Sequence, residues 1–263
     1  MPIVTLTTDF GLKDEFVGVL KGVLYGIAPG LTVVDLTHGI PPQNIREGAY
    51  ALWRGYSFFP AGTIHVYVVD PGVGTERRPL AARMGGHFFI GPDNGLLTPI
   101  MVQMEDFRQA SEYLHLNNSK YWLPKISGTF HGRDIFSPVA AHLASGVPFE
   151  DLGTPLHDPI RIELTRPVAT PSGWQAHITV IDQFGNLTTD LPASAIKDRK
   201  KVRFRIHDAW IDGFLDSYGY AAPGELIAVI DSEDYIELAK VNGSAAQSLN
   251  AKPGDVVEVI LTG

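Results

Sequence analysis

The chain has no cysteine. That excludes disulfides, thiolate metal sites and a cysteine nucleophile, and fits a reducing compartment or a thermophilic source without choosing between them. It is also short of basic charge overall. Its 21 Lys and Arg stand against 29 Asp and Glu, a formal net charge of −8. General nucleic-acid binding is therefore not expected, because neutralising phosphates needs clustered cations. No apolar run approaches membrane-spanning length, so no membrane partner is expected. The opening segment MPIVTLTTDFG lacks a basic stretch followed by an apolar one, and no signal peptide is expected. The default expectation is a cytoplasmic protein. No internal repeat or low-complexity tract appears. What is present is 263 residues, 44% of them hydrophobic, enough for one large domain or two smaller ones.

The first part alternates strand and helix signals. Ile3 to Thr7 reads as a strand. Phe16, Val19, Leu20, Val23, Leu24 and Ile27 recur at helical spacing within Glu15 to Ile27, and Pro29-Gly30 stops that helix. Leu31 to Leu36 reads as a second strand, Gln43 to Trp53 as a second helix, and His65 to Val69 as a buried third strand. Further strands are expected at Leu80–Arg83 and His87–Ile90, and a helix from Asp134 to Ala144. This order implies a parallel sheet with covering helices. After about residue 165 the signals become short strands, at Trp174–Asp182, Val202–Ile206, Glu225–Ile230, Tyr235–Val241 and Val256–Leu261, separated by turns. The expected class is α/β. An N-terminal α/β domain with a mainly parallel sheet spans residues 1–165. A linker follows at 166–173, then a smaller C-terminal all-β barrel domain at 174–263.

Four segments put an aspartate into turn chemistry: Thr8-Asp9-Phe10-Gly11, Asp35-Leu36-Thr37-His38-Gly39, Asp70-Pro71-Gly72 and Gly91-Pro92-Asp93-Asn94-Gly95. In open α/β sheets ligands bind outside the carboxyl ends of the strands. Asp and Gly also simply make turns there. The run Val69-Asp70-Pro71-Gly72-Val73-Gly74-Thr75-Glu76-Arg77-Arg78 is the most informative. It makes a tight loop with a carboxylate at one end and two arginines at the other, and an arginine near a carboxylate can orient an anion or a water. It lacks the Gly-Lys-Ser/Thr of a phosphate loop and the spacing of a dinucleotide fingerprint. In Ser127-Gly128-Thr129-Phe130-His131-Gly132-Arg133-Asp134, His131 is placed to act as a base or ligand, or as a structural histidine. Asp134 reads as a helix N-cap. In Asp182-Gln183-Phe184-Gly185-Asn186 an aromatic ring beside an amide would suit a heteroaromatic base.

The runs TTDFG, VVDPGVGTERR, GPDNGLL, TFHGRDIFSP, IDQFGNL and SEDYIELAKVNGSA, in that order over nearly the whole chain, resemble the S-adenosyl-L-methionine (SAM) hydroxide adenosyltransferases, SAM hydrolases related to the fluorinase and chlorinase enzymes. The resemblance implies attack of water or hydroxide on C5′ of SAM, giving adenosine and L-methionine, with no metal and no cofactor, SAM being the substrate. It implies a homotrimer with each active site between the N-terminal domain of one subunit and the C-terminal domain of its neighbour. The hydroxide-activating trio carries over to Asp70, Arg77 and His131, with Arg78 an adjacent competitor. Asp9 matches the residue gripping the ribose hydroxyls and Asp182 one meeting the methionine amino group. Phe184 and Asn186 fall in the adenine-binding turn, and Tyr218 on an aromatic that stacks on adenine. Ser232 and Glu233 match contacts to the methionine carboxylate. Val241 lies where backbone groups meet the adenine edge, and Asp14 is a second-tier candidate near the substrate.

Departures from the halogenases favour water as the nucleophile. Asp70 stands where the fluorinase has a tyrosine. Gly132, preceded by His131, replaces the small hydroxyl residue of the halide pocket. The fluorinase insertion is missing at Arg83-Met84-Gly85-Gly86-His87. Two other readings stay open on the residues alone. One is a divalent-metal phosphohydrolase built on Asp9, Asp35, Asp70, His38 and His131. The other is a SAM- or adenosine-binding module without turnover.

Overall fold

A β–α–β–α–β run opens the chain, as the periodicity predicts: β1 (Ile3–Thr8), α1 (Phe16–Ile27), β2 (Thr32–Thr37), α2 (Ile45–Tyr56) and β3 (Ile64–Val68). Helix α1 buries Val17, Leu20 and Leu24 on one face and stops just before Pro29, which has no N–H to continue it. Asn44 caps α2: its side-chain oxygen accepts from Glu47 N and its amide donates to the Glu47 carboxylate, a reciprocal cap. The structure, a computed structural model, describes residues 1–262. They divide into two units, Met1–Glu163 and Leu164 onward.

The first unit continues with β4 (Pro79–Met84), β5 (His87–Pro92), α3 (Thr98–Asp106), β6 (Ser111–His115), α4 (Ser137–Ala144) and the short β7 (Thr154–Pro155). The sheet order is β2-β1-β3-β5-β4-β6-β7. Strands β2, β1, β3 and β5 are mutually parallel; β4, β6 and β7 extend them as an antiparallel flank. Strands β4 and β5 are joined directly through Gly85 and Gly86, both at positive φ (57° and 80°). That is the two-residue hairpin geometry glycine permits. Helix α3 and strand β6 are additions to the sequence reading. Both are short, and α3 has a low apolar contrast between its faces.

Helices cover both faces of this sheet. Val66 and Val68 pack with Leu20, Leu24, Val139 and Ala140. Tyr67 and Val69 pack on the other side with Leu52, Tyr56, Ile100 and Met104. Alternation with both faces covered is why β3 reads as a continuous apolar run. The chain leaves β1 towards β2, then returns across β1 to β3. Neighbouring strands whose connections depart in opposite directions leave a crevice at their carboxyl ends. Asp9 follows β1 there, and Asp70 follows β3.

The second unit is antiparallel: β8 (Val168–Thr170), β9 (Gly173–Ile181), β10 (Leu187–Pro192), β11 (Val202–Ile206), β12 (Ala209–Asp212), β13 (Leu226–Ile230), β14 (Tyr235–Lys240), helix α5 (Ala245–Leu249) and β15 (Val256–Leu261). The order is β12-β11-β15-β9-β10-β14-β13, with β8 on β9. Leu215 N, just past β12, donates to Ala228 O on β13 at 2.9 Å, so the sheet nearly closes on itself as a barrel around Ile178, Leu187, Phe204, Ile236 and Val257. The expected linker is in part structured: Val168–Thr170 pairs with Gly173–Gln175, and Pro171-Ser172 make the turn. Among the described residues no helix is long and apolar enough to cross a membrane.

Candidate active site

The crevice holds a cavity of about 360 Å³ whose lining includes Asp9, Phe10, Gln43, Asp70, Phe130 and His131. Asp70 begins a loop folded on itself: Val73 N donates to Asp70 O, and Thr75 donates to Gly72 O through both N and Oγ1. The loop brings Arg77 back over Asp70. Arg77 Nε meets Asp70 Oδ1 at 3.1 Å and Nη2 meets Oδ2 at 2.5 Å. Both side chains are nearly buried, at 7% and 4% exposure. Nη2 also lies 3.0 Å from His131 Nδ1. A guanidinium only donates, so Nδ1 accepts and the imidazole proton sits on Nε2. Arg77 Nη1 is buried and has no hydrogen-bond partner among the described residues; the guanidinium packs over the Phe136 ring, 5.4 Å from its centroid.

His131 arrives from a different segment. It precedes a π-helical turn, Gly132–Phe136, that leads into α4. Asp134 is not the helix N-cap expected from the sequence. It is 1% exposed, and its carboxylate accepts from Ser127 N at 2.8 Å, Ser127 Oγ at 2.7 Å and Arg133 Nε at 2.6 Å. It therefore ties down the loop carrying His131. The two loops touch through backbone. Gly74, at φ +75°, sits so close to Gly128 that a Cβ there would lie 2.0 Å from the Gly128 carbonyl oxygen.

Burial raises the Asp70 carboxyl above its ordinary pKa, and the Arg77 charge opposes this without cancelling it. His131 is pushed down, first by burial and then by the Arg77 charge. A neutral histidine beside a more basic than usual carboxylate results. Arg78 is engaged elsewhere. It binds Asp93 Oδ2 at 2.7 Å and Asp158 Oδ1 at 2.8 Å, so of the two adjacent arginines it is Arg77 that meets Asp70.

Asp9 lines the cavity and accepts from Gln43 N at 2.7 Å. Asp14 is exposed in the bend before α1 and is not among the cavity-lining residues. The other predicted contacts lie in the second unit. Asp182 accepts from Phe184 N, Asn186 N and Asn186 Nδ2, fixing a turn that leaves Phe184 77% exposed and Asn186 buried. Tyr218 donates to Glu237 at 2.6 Å. Burial and then this acceptor raise its phenol pKa, so it stays protonated. Glu237 pairs across the sheet with Thr188, two residues beyond Asn186, and Thr188 donates to Asp231, beside Ser232 and Glu233. Ser232 donates to the Glu233 carboxylate at 2.9 Å. Val241 uses its N–H on Glu225 O and its carbonyl on Gly224 N. It leads into Ser244, against which Gly185 packs. Asp182, Phe184, Asn186, Tyr218, Ser232 and Glu233 thus group around the Thr188–Glu237 pair, with Val241 joined through Gly185.

Two residues escaped the sequence reading. Gln43 is a cavity-lining residue at φ +66°, and only the preceding Pro41-Pro42 hinted at an unusual turn. Glu237 is 4% exposed; a carboxylate in the apolar strand Tyr235–Lys240 was the available signal. The metal-site reading fails on geometry. Asp35 is held by Lys21 at 2.6 Å and His38 at 3.1 Å, apart from the Asp70 array. Among the described residues no group of three or more His, Asp or Glu is placed to hold a metal ion.

A parallel α/β unit with a buried acid–arginine–histidine array at its strand ends, followed by an antiparallel barrel, defines a two-domain enzyme with a strand-end cleft. The SAM hydroxide adenosyltransferase N-terminal domain matches residues 4–153 and the corresponding C-terminal domain residues 176–258; the chain belongs to this family. A protein of Salinispora tropica named (R)-S-adenosyl-L-methionine hydrolase is 38% identical over 268 residues, covering 98% of this chain and 97% of its own. A fluorinase of Actinopolyspora mzabensis is 29% identical over 98% of this chain and 97% of its own. The crystal structure of an uncharacterized conserved protein from Thermotoga maritima superposes with a TM-score of 0.89 at 34% identity, over 98% of this chain and 99% of that one. The resemblance read from the motifs is borne out.

Proposed function

We propose that this protein hydrolyses SAM to adenosine and L-methionine by attack of an activated water on C5′. The observation that carries the reading is the buried Asp70–Arg77–His131 array opening on the strand-end cavity. The sulfonium is already a cationic leaving group, so no general acid is needed. The oxygen–C5′ bond forms, the C5′–sulfur pair returns to sulfur, and one proton leaves the water. The nucleophile is the difficult partner, because water has a pKa near ~15.7. Arg77 cannot take the proton, and His131 Nδ1 is already accepting from it. Asp70, made more basic by burial, is the remaining acceptor. His131 lines the cavity, and its Nε2–H supplies a donor to hold the oxygen. Such orientation contributes up to roughly 7–11 kcal/mol in favourable cases.

The finer parts of the reading follow the family. Asp9 grips the ribose hydroxyls, and Asp14 lies near the substrate. Phe184, Asn186, Tyr218 and the Val241 backbone receive adenine. Asp182, Ser232 and Glu233 receive the methionine end. The enzyme acts in the cytoplasm as a homotrimer whose sites are completed by a neighbouring subunit, without metal or cofactor. The large exposure of Phe184 and Tyr218, 77% and 46%, supports their being covered by a ligand or a neighbour. Incubation with SAM plus EDTA, with products identified by mass, tests the reaction. Equimolar adenosine and methionine are expected. Intact SAM would refute it, and turnover abolished by EDTA would refute the metal-free mechanism.

A further inference from the structure

The Asp70 loop holds its two functional residues at its ends, and both ends are fastened by one segment, Gly91-Pro92-Asp93-Asn94-Gly95. At the entry, Asn94 Nδ2 donates to Val69 O at 2.8 Å. At the exit, Asp93 N donates to Arg78 O at 2.9 Å, and the Asp93 carboxylate takes the Arg78 guanidinium. One peptide unit separates the two fastening residues, which fixes their Cα spacing at about 3.8 Å. The segment is itself anchored. Asp93 is 1% exposed, and its other oxygen accepts from Ile160 N at 2.8 Å. Pro92 O accepts from the Tyr67 hydroxyl. Asn94 holds its own backbone by accepting from Leu96 N. Neither Asp93 nor Asn94 lines the cavity.

We infer that Asp93 and Asn94 are positioning residues for the reaction. They clamp Val69 and Arg78 so that Asp70 and Arg77 meet in one geometry at the cavity floor. The inference rests on the proposed hydrolysis of SAM. A misplacement of about 1 Å at a reacting group costs on the order of 100-fold in rate. A clamp of this kind therefore acts on turnover and leaves substrate affinity nearly unchanged.

The test compares the full-length enzyme with Asn94→Ala, Asn94→Asp and Asn118→Ala. Asn118 is the matched control: its amide also donates to a backbone carbonyl, Asp151 O at 2.7 Å, but away from the loop. Asn94→Ala is expected to lose about 10- to 100-fold in kcat with KM within about twofold, while Asn118→Ala keeps its kcat at a comparable Tm. Asn94→Asp places an acceptor against the Val69 carbonyl. Protonating the new carboxyl restores a donor, so its kcat relative to wild type should recover as pH is lowered. A merely structural role gives no such recovery. Equal kcat for the Ala variants at positions 94 and 118, or an Asn94→Asp deficit that is flat with pH, overturns the inference. If Asn94→Ala does not fold, the Asn94→Asp profile decides. Wild-type enzyme that leaves SAM intact removes the proposed reaction itself, and the same assay shows this before any variant is read.

Discussion

A single side chain that only donates organises the proposed catalytic residues. Arg77 neutralises Asp70, sets the tautomer of His131 and keeps one buried N–H pair unspent. Asp70→Asn retains the shape but removes the acceptor. It should lower kcat by on the order of 10³-fold while SAM still binds, checked by single-turnover kinetics and calorimetry. Another histidine carries a stability consequence. His65 is fully buried between Thr5, at 2.7 Å, and His87, at 3.3 Å, and stacks on Phe89. Burial, helped by the His87 charge, lowers its pKa from 6.5 to about 3. The unfolded chain therefore protonates first. The stabilisation is complete above pH 6.5 and is lost as pH falls towards 3, by up to about 5 kcal/mol. Denaturant titrations across that window should show the loss, and His65→Phe should flatten it. A pH-independent wild type would contradict the assignment. Much of this scale was legible in the sequence: Asp70, Arg77 and His131 stood in motif order. The choice between Arg77 and Arg78 was not. It is made by Asp93 and Asp158, partners that no local spacing reveals. Asp134 was misread for the same reason, since its partner Ser127 lies before it, off the helix.

At the scale of elements, two loops approach at one point, Gly74 and Gly128, where no side chain lies between them. Gly74 faces the Gly128 carbonyl, and a Cβ at position 74 would come within 2.0 Å of it, whereas one at Gly128 meets nothing within 4 Å. Gly74→Ala must separate the Asp70 and His131 loops and should reduce kcat about 100-fold. Gly128→Ala should stay within about twofold of wild type. Steady-state kinetics on the pair distinguishes contact from general disturbance; equal rates would deny the contact its role. The strands and longer helices were readable because a strand covered on both faces writes a continuous apolar run, one covered on a single face writes alternation, and a packed helix writes the helical period. Helix α3 was not, being short and apolar on most sides. The π turn at Gly132–Phe136 escaped because its shape comes from the Asp134 anchor rather than from propensity.

For the whole molecule, the division into an α/β unit and a barrel was legible from the change in pattern near residue 165, but the strand Val168–Thr170 hid in a stretch rich in turn residues. The proposed sharing of sites between subunits makes a quantitative prediction. Asp70→Asn and Asn186→Ala chains, each inactive alone, should regain activity when co-refolded. In random mixing about one quarter of sites draw both intact halves, so about a quarter of wild-type kcat per site is expected; no recovery would mean that each chain builds its site alone. Finally, the β4–β5 hairpin turns at Gly85-Gly86, at the end of those strands remote from Arg78 and Asp93. A six-residue strand spans about 20 Å. The chain also has no cysteine. A short loop bearing one cysteine, spliced between these glycines, would therefore offer the sole thiol for a fluorophore or a solid support, with the reactive end left facing solution.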